Sequence, residues 1–79
     1  MSAQSAQIAI LALLDRRERG TTICPSEVAR ALAAQDDWRA HMASVHEAVD
    51  ILAARGDIAL SWKGKPLDQR RGAYRIARR

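Results

Sequence analysis

The segment DIALSWKGKPLDQRRGAYRIA, residues 57–77, holds two alternating stretches on either side of a polar connection, residues 63–72. In both stretches an apolar residue occupies every second position, which is typical of strands that bury one face. Glycine and proline in the connection interrupt the pattern. The segment therefore predicts a hairpin of two strands joined by that connection. The residues expected to face the core are Ile58, Leu60, Trp62, Tyr74 and Ile76.

The N-terminal part of the chain has helical periodicity. Ile10 and Leu14 are four residues apart and share one face of a helix. The arginines within residues 16–19 suit the negative end of a helix dipole, and Gly20 follows as a stop. The pattern predicts a first helix over residues 3–19.

A short extended segment and a second helix follow. TTIC, residues 21–24, is rich in β-branched side chains, which favour extended backbone. Pro25 suits the first position of a helix, where its missing N–H is not needed. Val28 and Leu32 then fall on one face, so a second helix is predicted from Pro25 to about Ala34.

Two start signals precede the third helix. Asp36 or Asp37 is a suitable cap for a short helical turn over residues 38–42. Ser44 and Glu47 have the spacing of a capping box, in which each side chain satisfies a backbone N–H of the first turn. The sequence thus predicts a fresh helix start at Ser44 and a helix that ends before Gly56.

Taken in order, these elements predict an α+β fold that is mainly helical. A helix, a short strand, two further helices and a C-terminal two-stranded β-hairpin are the order of a winged helix-turn-helix, in which the hairpin is the wing. The strand near Thr22 is expected to pair at the edge of the sheet. At 79 residues we expect a single domain, residues 1–79, with a core of about residues 8–77.

Three motifs carry a resemblance to a known family. The stretches TTICPSEVARAL (residues 21–32), DDWR (residues 36–39) and KGKP (residues 63–66) together resemble a small bacterial winged-helix family recorded as domain of unknown function 3253. The resemblance covers roughly residues 10–76. It implies the fold, a bacterial origin and a small stand-alone or fused domain, and it supplies no catalytic residues.

The basic residues are concentrated at the C-terminal end. The net charge is +4, yet residues 1–62 hold six Lys or Arg against eight Asp or Glu, whereas residues 63–79 hold seven against one. A basic patch of this kind indicates contact with nucleic acid or another polyanion. The alternative is a tail that only keeps the protein soluble.

The predicted partner is double-stranded DNA, bound through the basic wing. Lysine and arginine side chains there are expected to contact backbone phosphates, or one Arg to enter the minor groove. The wing set is Lys63, Lys65, Arg70, Arg71 and Arg75, joined by Arg78 and Arg79 of the tail. A second, weaker set around the helix-turn-helix is Ser26, Arg30, Arg39 and His46. Binding by phosphate contacts should be weakened readily by salt.

The third helix is a poor candidate for reading bases. In a helix-turn-helix its outward face lies in the major groove, where Arg, Lys, Asn or Gln would contact base edges. The face opposite the apolar stripe instead carries Ala43, Glu47, Asp50 and Ala54. Because two carboxylates repel phosphates, weak sequence specificity is expected.

A protein–protein interaction module is the alternative function. The same fold can bind a protein, with the acidic face of the third helix against a basic partner. An exposed Trp38 or Trp62 would then be an interface anchor, although in so small a domain both are more often core cover. A monomer and a homodimer through the first helix both stay open, since Ile8 and Leu13 are expected outside the core.

The sequence predicts no enzyme, metal site or cofactor. Cys24 is the single cysteine and cannot form an internal disulfide, so a reducing cytoplasm is the expected compartment. It also lacks an evident base partner for nucleophilic chemistry. His41 and His46 lie about 140° apart around a helix, which separates them as metal ligands. The apolar run of residues 8–14 is too short to span a membrane, so no membrane association is expected.

Overall fold

The computed structural model describes residues 2–34 and 37–79, and about half of the chain is helical. The helices are α1 (Ala3–Asp15), α2 (Pro25–Ala33) and α3 (Met42–Ala54), and a 3₁₀ turn (Trp38–His41) precedes α3. The strands are β1 (Thr22–Ile23), β2 (Ile58–Trp62), β3 (Lys65–Leu67) and β4 (Arg75–Arg78). The fold is therefore α+β, with three α-helices and a four-stranded antiparallel sheet in the described residues.

Helix α1 is shorter than predicted. The N–H of Arg16 donates to Leu13 O at 3.2 Å and that of Arg17 to Leu14 O at 3.1 Å, so the helix tightens and ends at Asp15. The predicted extension through residue 19 is wrong. Its arginines lie beyond the helix, because that charged run has no apolar side chain to pack against the core.

Helix α2 confirms the predicted second helix, with Pro25 at its first position.

The predicted capping box of α3 is wrong, because the 3₁₀ turn continues directly into a helix that begins at Met42. Met42 packs against the core, which favours an earlier start than Ser44. Asp37 caps the 3₁₀ turn by accepting from the N–H of Arg39 at 3.1 Å, whereas the alternative cap, Asp36, lies outside the described residues.

The end of α3 follows the prediction. Gly56 has a φ of 80°, a conformation that glycine adopts without steric cost. Its N–H donates to Ala53 O at 3.1 Å, and the N–H of Asp57 donates to Leu52 O at 3.0 Å. These two bonds form a Schellman motif, which satisfies the last carbonyls of the helix and turns the chain into β2.

The sheet has the order β1–β4–β2–β3, with every neighbouring pair antiparallel. The edge position expected near Thr22 is confirmed by β1, which pairs with β4. The prediction of two strands is wrong, because β3 lies inside the expected connection and pairs with β2. Pro66 is tolerated in β3 because an edge strand does not need every N–H for the ladder.

A two-residue turn joins β2 to β3. Lys63 has a φ of 51° and Gly64 a φ of 81°, and two positive φ angles are what a type I′ hairpin turn requires. Trp62 and Lys65 are consequently paired across the two strands. The turn places Lys63 at the tip of a short, well-defined hairpin.

The core lies between the three helices and one face of the sheet. Ile58, Leu60, Tyr74 and Ile76 are buried there as predicted. Trp62 is not, since 40% of it is exposed. Its position on the strand gives it the same side as Leu60, but it lies at the end of β2, beyond the helices that cover the rest of that face.

Two residues of α1, Ile8 and Leu13, were expected outside the core, and this is confirmed for Ile8 only. Ile8 is exposed, whereas Leu13 packs against the core.

Candidate functional site

An apolar groove lies where the start of α2, the start of α3 and the end of β2 meet. Its volume is about 420 Å³, which is within the range of small-ligand sites. We call it the tryptophan groove, because both tryptophans of the chain line it. The lining residues are Cys24, Pro25, Ser26, Trp38, Met42, His46, Trp62, Gly72, Ala73, Tyr74 and Arg75. None of these residues is Asp or Glu.

The Trp38 side of the groove carries two arginines. The guanidinium carbon of Arg30 lies 4.7 Å from the centre of the Trp38 ring, and that of Arg39 lies 4.6 Å from it. Both distances suit cation–π contact. Arg39 also lies 3.9 Å from Asp37, a long and solvent-exposed pairing that contributes little. Two residues of the weaker predicted set are thus brought together by one indole ring.

The Trp62 side of the groove carries lysines. The ammonium nitrogen of Lys63 lies 6.0 Å from the centre of the Trp62 ring, at the outer limit of a cation–π contact. Lys63 and Lys65 are both exposed, and neither takes part in an ion pair within the described part of the chain. The hairpin tip therefore presents two charges that no carboxylate of those residues neutralises.

Several polar side chains around the groove are hydrogen-bonded inside the protein. Arg75 donates from Nε to Thr22 Oγ1 at 2.9 Å and from Nη2 to Thr22 O at 3.2 Å, which ties β4 to β1. Ser26 Oγ lies 3.1 Å from Cys24 Sγ. Arg75 and Ser26, which the sequence assigned to DNA contact, therefore also have structural partners.

His46 is joined to the other side of the groove. Its Nδ1 lies 2.6 Å from the Tyr74 hydroxyl. Burial, with a further contribution from Arg70, lowers the pKa of His46 below its usual value, and burial raises the pKa of Tyr74 far above its own. At neutral pH the histidine is therefore uncharged, and its Nδ1 shares a hydrogen bond with the Tyr74 hydroxyl. In this state His46 supplies no positive charge for a phosphate.

The thiol of Cys24 has an altered pKa. Burial opposes its ionisation, but hydrogen bonds from the side chain and backbone of Ser26 and the charges of Arg75 and Arg30 outweigh that effect and lower the pKa. The group is half-buried at the first turn of α2. In the described residues no group of three or more His, Cys, Asp or Glu side chains is placed to hold a metal ion.

Arg70 and Arg71 differ although they are adjacent. Arg70 Nε donates to Asp50 Oδ1 at 2.8 Å, which connects the segment after β3 to the outward face of α3. Arg71 is exposed and takes part in none of the ion pairs of the described residues.

The outward face of α3 is composed as predicted. Its exposed residues include Ala43, Glu47, Asp50 and Ala54. Because Arg70 pairs with Asp50, one of the two carboxylates on this face is compensated.

The tail arginines contact the body of the protein. Arg78 forms an ion pair with Asp15 at the end of α1, and the backbone N–H of Arg79 donates to Asp57 O at 3.3 Å. The two predicted tail residues therefore lie beside β2 and α1 and do not line the tryptophan groove.

A larger cavity, of about 550 Å³, lies beside the second half of α3. Asp50 and Asp68 contribute carboxylates to its lining, and Arg70 contributes the one cation. That charge balance does not suit a polyanion, whereas the tryptophan groove has cations beside both of its indoles and no carboxylate among its described lining residues.

Sequence reasoning did not find the groove, although two signals in the sequence pointed towards it. Trp38 is followed directly by Arg39, and Trp62 directly by Lys63 and Gly64. The second pattern, a residue and a glycine between two strand-forming stretches, is a signal for a two-residue hairpin turn.

A family model described as "Protein of unknown function (DUF3253)" matches residues 3–79. This agrees with the resemblance carried by the three sequence motifs. No curated protein matches the chain. In the described residues, no helix has both the length and the apolar character needed to cross a membrane.

Proposed function

The chain belongs to the DUF3253 family, and we propose that it is a winged helix-turn-helix domain that binds double-stranded DNA through backbone phosphates. The observation that carries the proposal is the arrangement of cations around the tryptophan groove. Lys63 and Lys65 lie at the hairpin tip next to Trp62, and Arg30 and Arg39 lie on Trp38.

The order and pairing of the elements support the winged-helix part of the proposal. Helices α2 and α3 follow one another through the 3₁₀ turn, and β2 and β4 pair as the two long strands of a wing. Strand β1 pairs with β4 and closes the sheet next to the helices. Strand β3 is an addition that stiffens the wing by a second hairpin.

Phosphate contacts explain the charge pattern better than a solubilising tail does. Lys63, Lys65 and Arg71 are exposed and outside the ion pairs of the described residues, so they are available to an anionic partner. Three to five phosphate contacts give a slope of about −3 to −5 for log K against log salt. Binding should be measurable at low salt and weak at physiological salt.

Weak sequence specificity follows from the composition of α3. Glu47 is exposed on its outward face, and Asp50 beside it is occupied by Arg70. Neither residue is a donor to the guanine or adenine edges that Arg, Asn or Gln contact. Contacts to phosphates position the protein on the duplex but carry no base preference.

The proposal is tested by titrating a fluorescent duplex at low salt with the native protein and with a Lys63→Ala/Lys65→Ala variant. The matched control is Arg16→Ala/Arg19→Ala, which removes the same charge from exposed positions after α1. We expect the lysine variant to bind at least about tenfold more weakly, and the arginine control to change affinity by less than about threefold. Equal binding by the two variants would contradict a role for the wing.

The second candidate function is a protein interaction module. The exposed indole of Trp62 beside an apolar groove favours it, because tryptophan is a frequent interface anchor. Absence of duplex binding by the native protein, together with specific capture of a protein partner that depends on Trp62, would support this alternative. Both candidates are compatible with a non-enzymatic protein of the cytoplasm and with a monomer or a homodimer.

A further inference from the structure

The tryptophan groove combines three properties that rarely occur together on a small protein surface. One wall is the ring of Trp62, which is 40% exposed. The interior holds hydrogen-bonding atoms, among them Ser26 Oγ and the Tyr74 hydroxyl. Cations lie beside both indoles, Lys63 beside Trp62 and the arginine pair on Trp38.

From this geometry we propose that the groove binds one unpaired base of a nucleic acid strand, stacked on Trp62. The inference rests on the proposed DNA-binding function and extends it from phosphate contact to a specific structural feature of the nucleic acid. Stacking on an aromatic side chain is tolerant of base identity, because every base has a π-face. The site therefore recognises an unstacked base and not a particular sequence.

The choice of Trp62 as the stacking surface follows from what each indole contacts. Trp38 already has the guanidinium groups of Arg30 and Arg39 over its ring, at 4.7 and 4.6 Å. Trp62 has only the more distant ammonium of Lys63, at 6.0 Å. Its exposed surface is thus available to a planar ligand.

The cations beside the groove favour a nucleotide over an apolar peptide side chain as the ligand of the groove. An apolar peptide side chain carries no charge and gains nothing from the cations beside the groove. A base within a strand has a phosphate on each side of its sugar, and the groove has cations beside two separate indoles. Among the lining residues that the structure describes, none carries a carboxylate that would repel those phosphates.

The shape of the site also favours a base that is still attached to its strand over a free nucleotide. A free nucleotide carries its phosphates at one end and needs cations at one end only. Here Lys63 and the two arginines are attached to different indoles on different structural elements, the β2–β3 turn and the α2–3₁₀ region. A continuous strand that crosses the groove can contact both.

The experiment uses the full chain and three duplexes of equal length at the same low salt. One is fully paired, one contains a single unpaired thymidine, and one contains an abasic nucleotide at the same unpaired position. The abasic duplex has the same added phosphate and the same flexible backbone, but no base. We expect the thymidine duplex to bind about tenfold more tightly than both of the others.

Two variants assign that preference to Trp62. Trp62→Ala should bind the thymidine and abasic duplexes with equal affinity. Trp62→Phe should keep most of the preference, because it retains an aromatic face. Circular dichroism melting curves establish that each variant is folded, and the comparison of the three duplexes with the native protein needs no variant.

The outcomes distinguish this inference from the function on which it rests. Equal binding of the thymidine and abasic duplexes by the native protein, or a preference that persists in Trp62→Ala, overturns the stacking site and leaves the wing proposal intact. Failure to bind any of the three duplexes overturns both. Competition by a free nucleotide at a concentration that displaces the thymidine duplex would contradict the requirement for a strand.

Discussion

Two groups of basic side chains in this protein have similar charge but different surroundings. The groove-side cations, which are Lys63, Lys65, Arg30 and Arg39, are exposed and contact aromatic rings or solvent, apart from the long approach of Arg39 to Asp37. The paired arginines each contact a carboxylate. They are Arg17 with Glu27, Arg55 with Asp57, Arg70 with Asp50 and Arg78 with Asp15.

The difference teaches that the number of charges does not determine their availability. A phosphate that approaches a paired arginine has to compete with a carboxylate already in contact. A phosphate that approaches a groove-side cation displaces water or a weakly held ring. The basic C-terminal segment is therefore not uniform, since Arg70 and Arg78 belong to the paired group and Lys63 and Lys65 to the other.

The largest effect, on stability, is expected at Arg75. This residue belongs to neither group, because it donates to the hydroxyl and the backbone carbonyl of Thr22. Arg75→Ala removes two hydrogen bonds from a half-buried guanidinium to Thr22 and should lower the free energy of unfolding by about 1.5–3 kcal/mol. Urea denaturation measures it. Arg71→Ala, a change of the same charge at an exposed position, is the control and should leave stability within about 0.5 kcal/mol. Equal stability of the two variants would contradict the structural role of Arg75.

A smaller effect, on DNA affinity, is expected when one paired arginine loses its carboxylate partner. Asp50→Asn removes a carboxylate from the outward face of α3 and releases Arg70. Affinity for duplex DNA should rise about twofold to fivefold, as the loss of one exposed charge contact implies. The slope of log K against log salt should become steeper by about 1 if Arg70 gains a phosphate. Unchanged affinity would indicate that α3 lies away from the DNA.

Breaking an exposed pair should have a still smaller effect on stability. Arg78→Ala removes the contact with Asp15, and both side chains are well exposed to solvent. The free energy of unfolding should fall by about 0.5 kcal/mol or less. DNA affinity should remain within about twofold of the native value, since Arg78 does not line the groove. A large loss of affinity would transfer Arg78 to the DNA-contacting group.

The smallest expected effect is a pH dependence of stability that arises from His46 in the tryptophan groove. The pKa of His46 is lowered in the folded protein, chiefly by burial, and its Nδ1 is hydrogen-bonded to the Tyr74 hydroxyl. The stability from this interaction is present above the unfolded pKa of about 6.5 and is lost as pH falls through the lower folded pKa. Arg70, Asp50 and Tyr74 are the charged and titratable groups that face this ring.

The pH effect is measured as the change in urea midpoint between neutral and mildly acidic solution. His46→Gln should reduce that change. An identical pH profile in the native protein and His46→Gln would contradict the assignment.

The sequence predicted the order of elements because their signals are local. Pro25 at a helix start and Gly56 after a helix each act through their own backbone conformation. The errors occurred where tertiary packing overrides a local signal. Packing of Met42 moved the start of α3, and pairing with β2 made a strand of a segment whose glycine and proline had indicated a loop.

The candidate site was predictable in part for the same reason. Exposure of Lys63 and Lys65 follows from composition and turn chemistry. The groove does not, because it depends on where β2 extends past the helices and on the distance of Arg30 and Arg39 from one indole. The carboxylate partners of Arg70 and Arg78 lie on other elements. The compensation of these two charges is therefore visible only in the three-dimensional structure.

The salt dependence of duplex binding tests the central claim most directly, because it counts the phosphates that the cations contact. Log K against log salt should have a slope of about −3 to −5 for the native protein and for Arg16→Ala/Arg19→Ala, and should become shallower by about 2 for Lys63→Ala/Lys65→Ala. The same slope for the native protein and the lysine variant would contradict the account, since Lys63 and Lys65 would then contact no phosphate of the DNA.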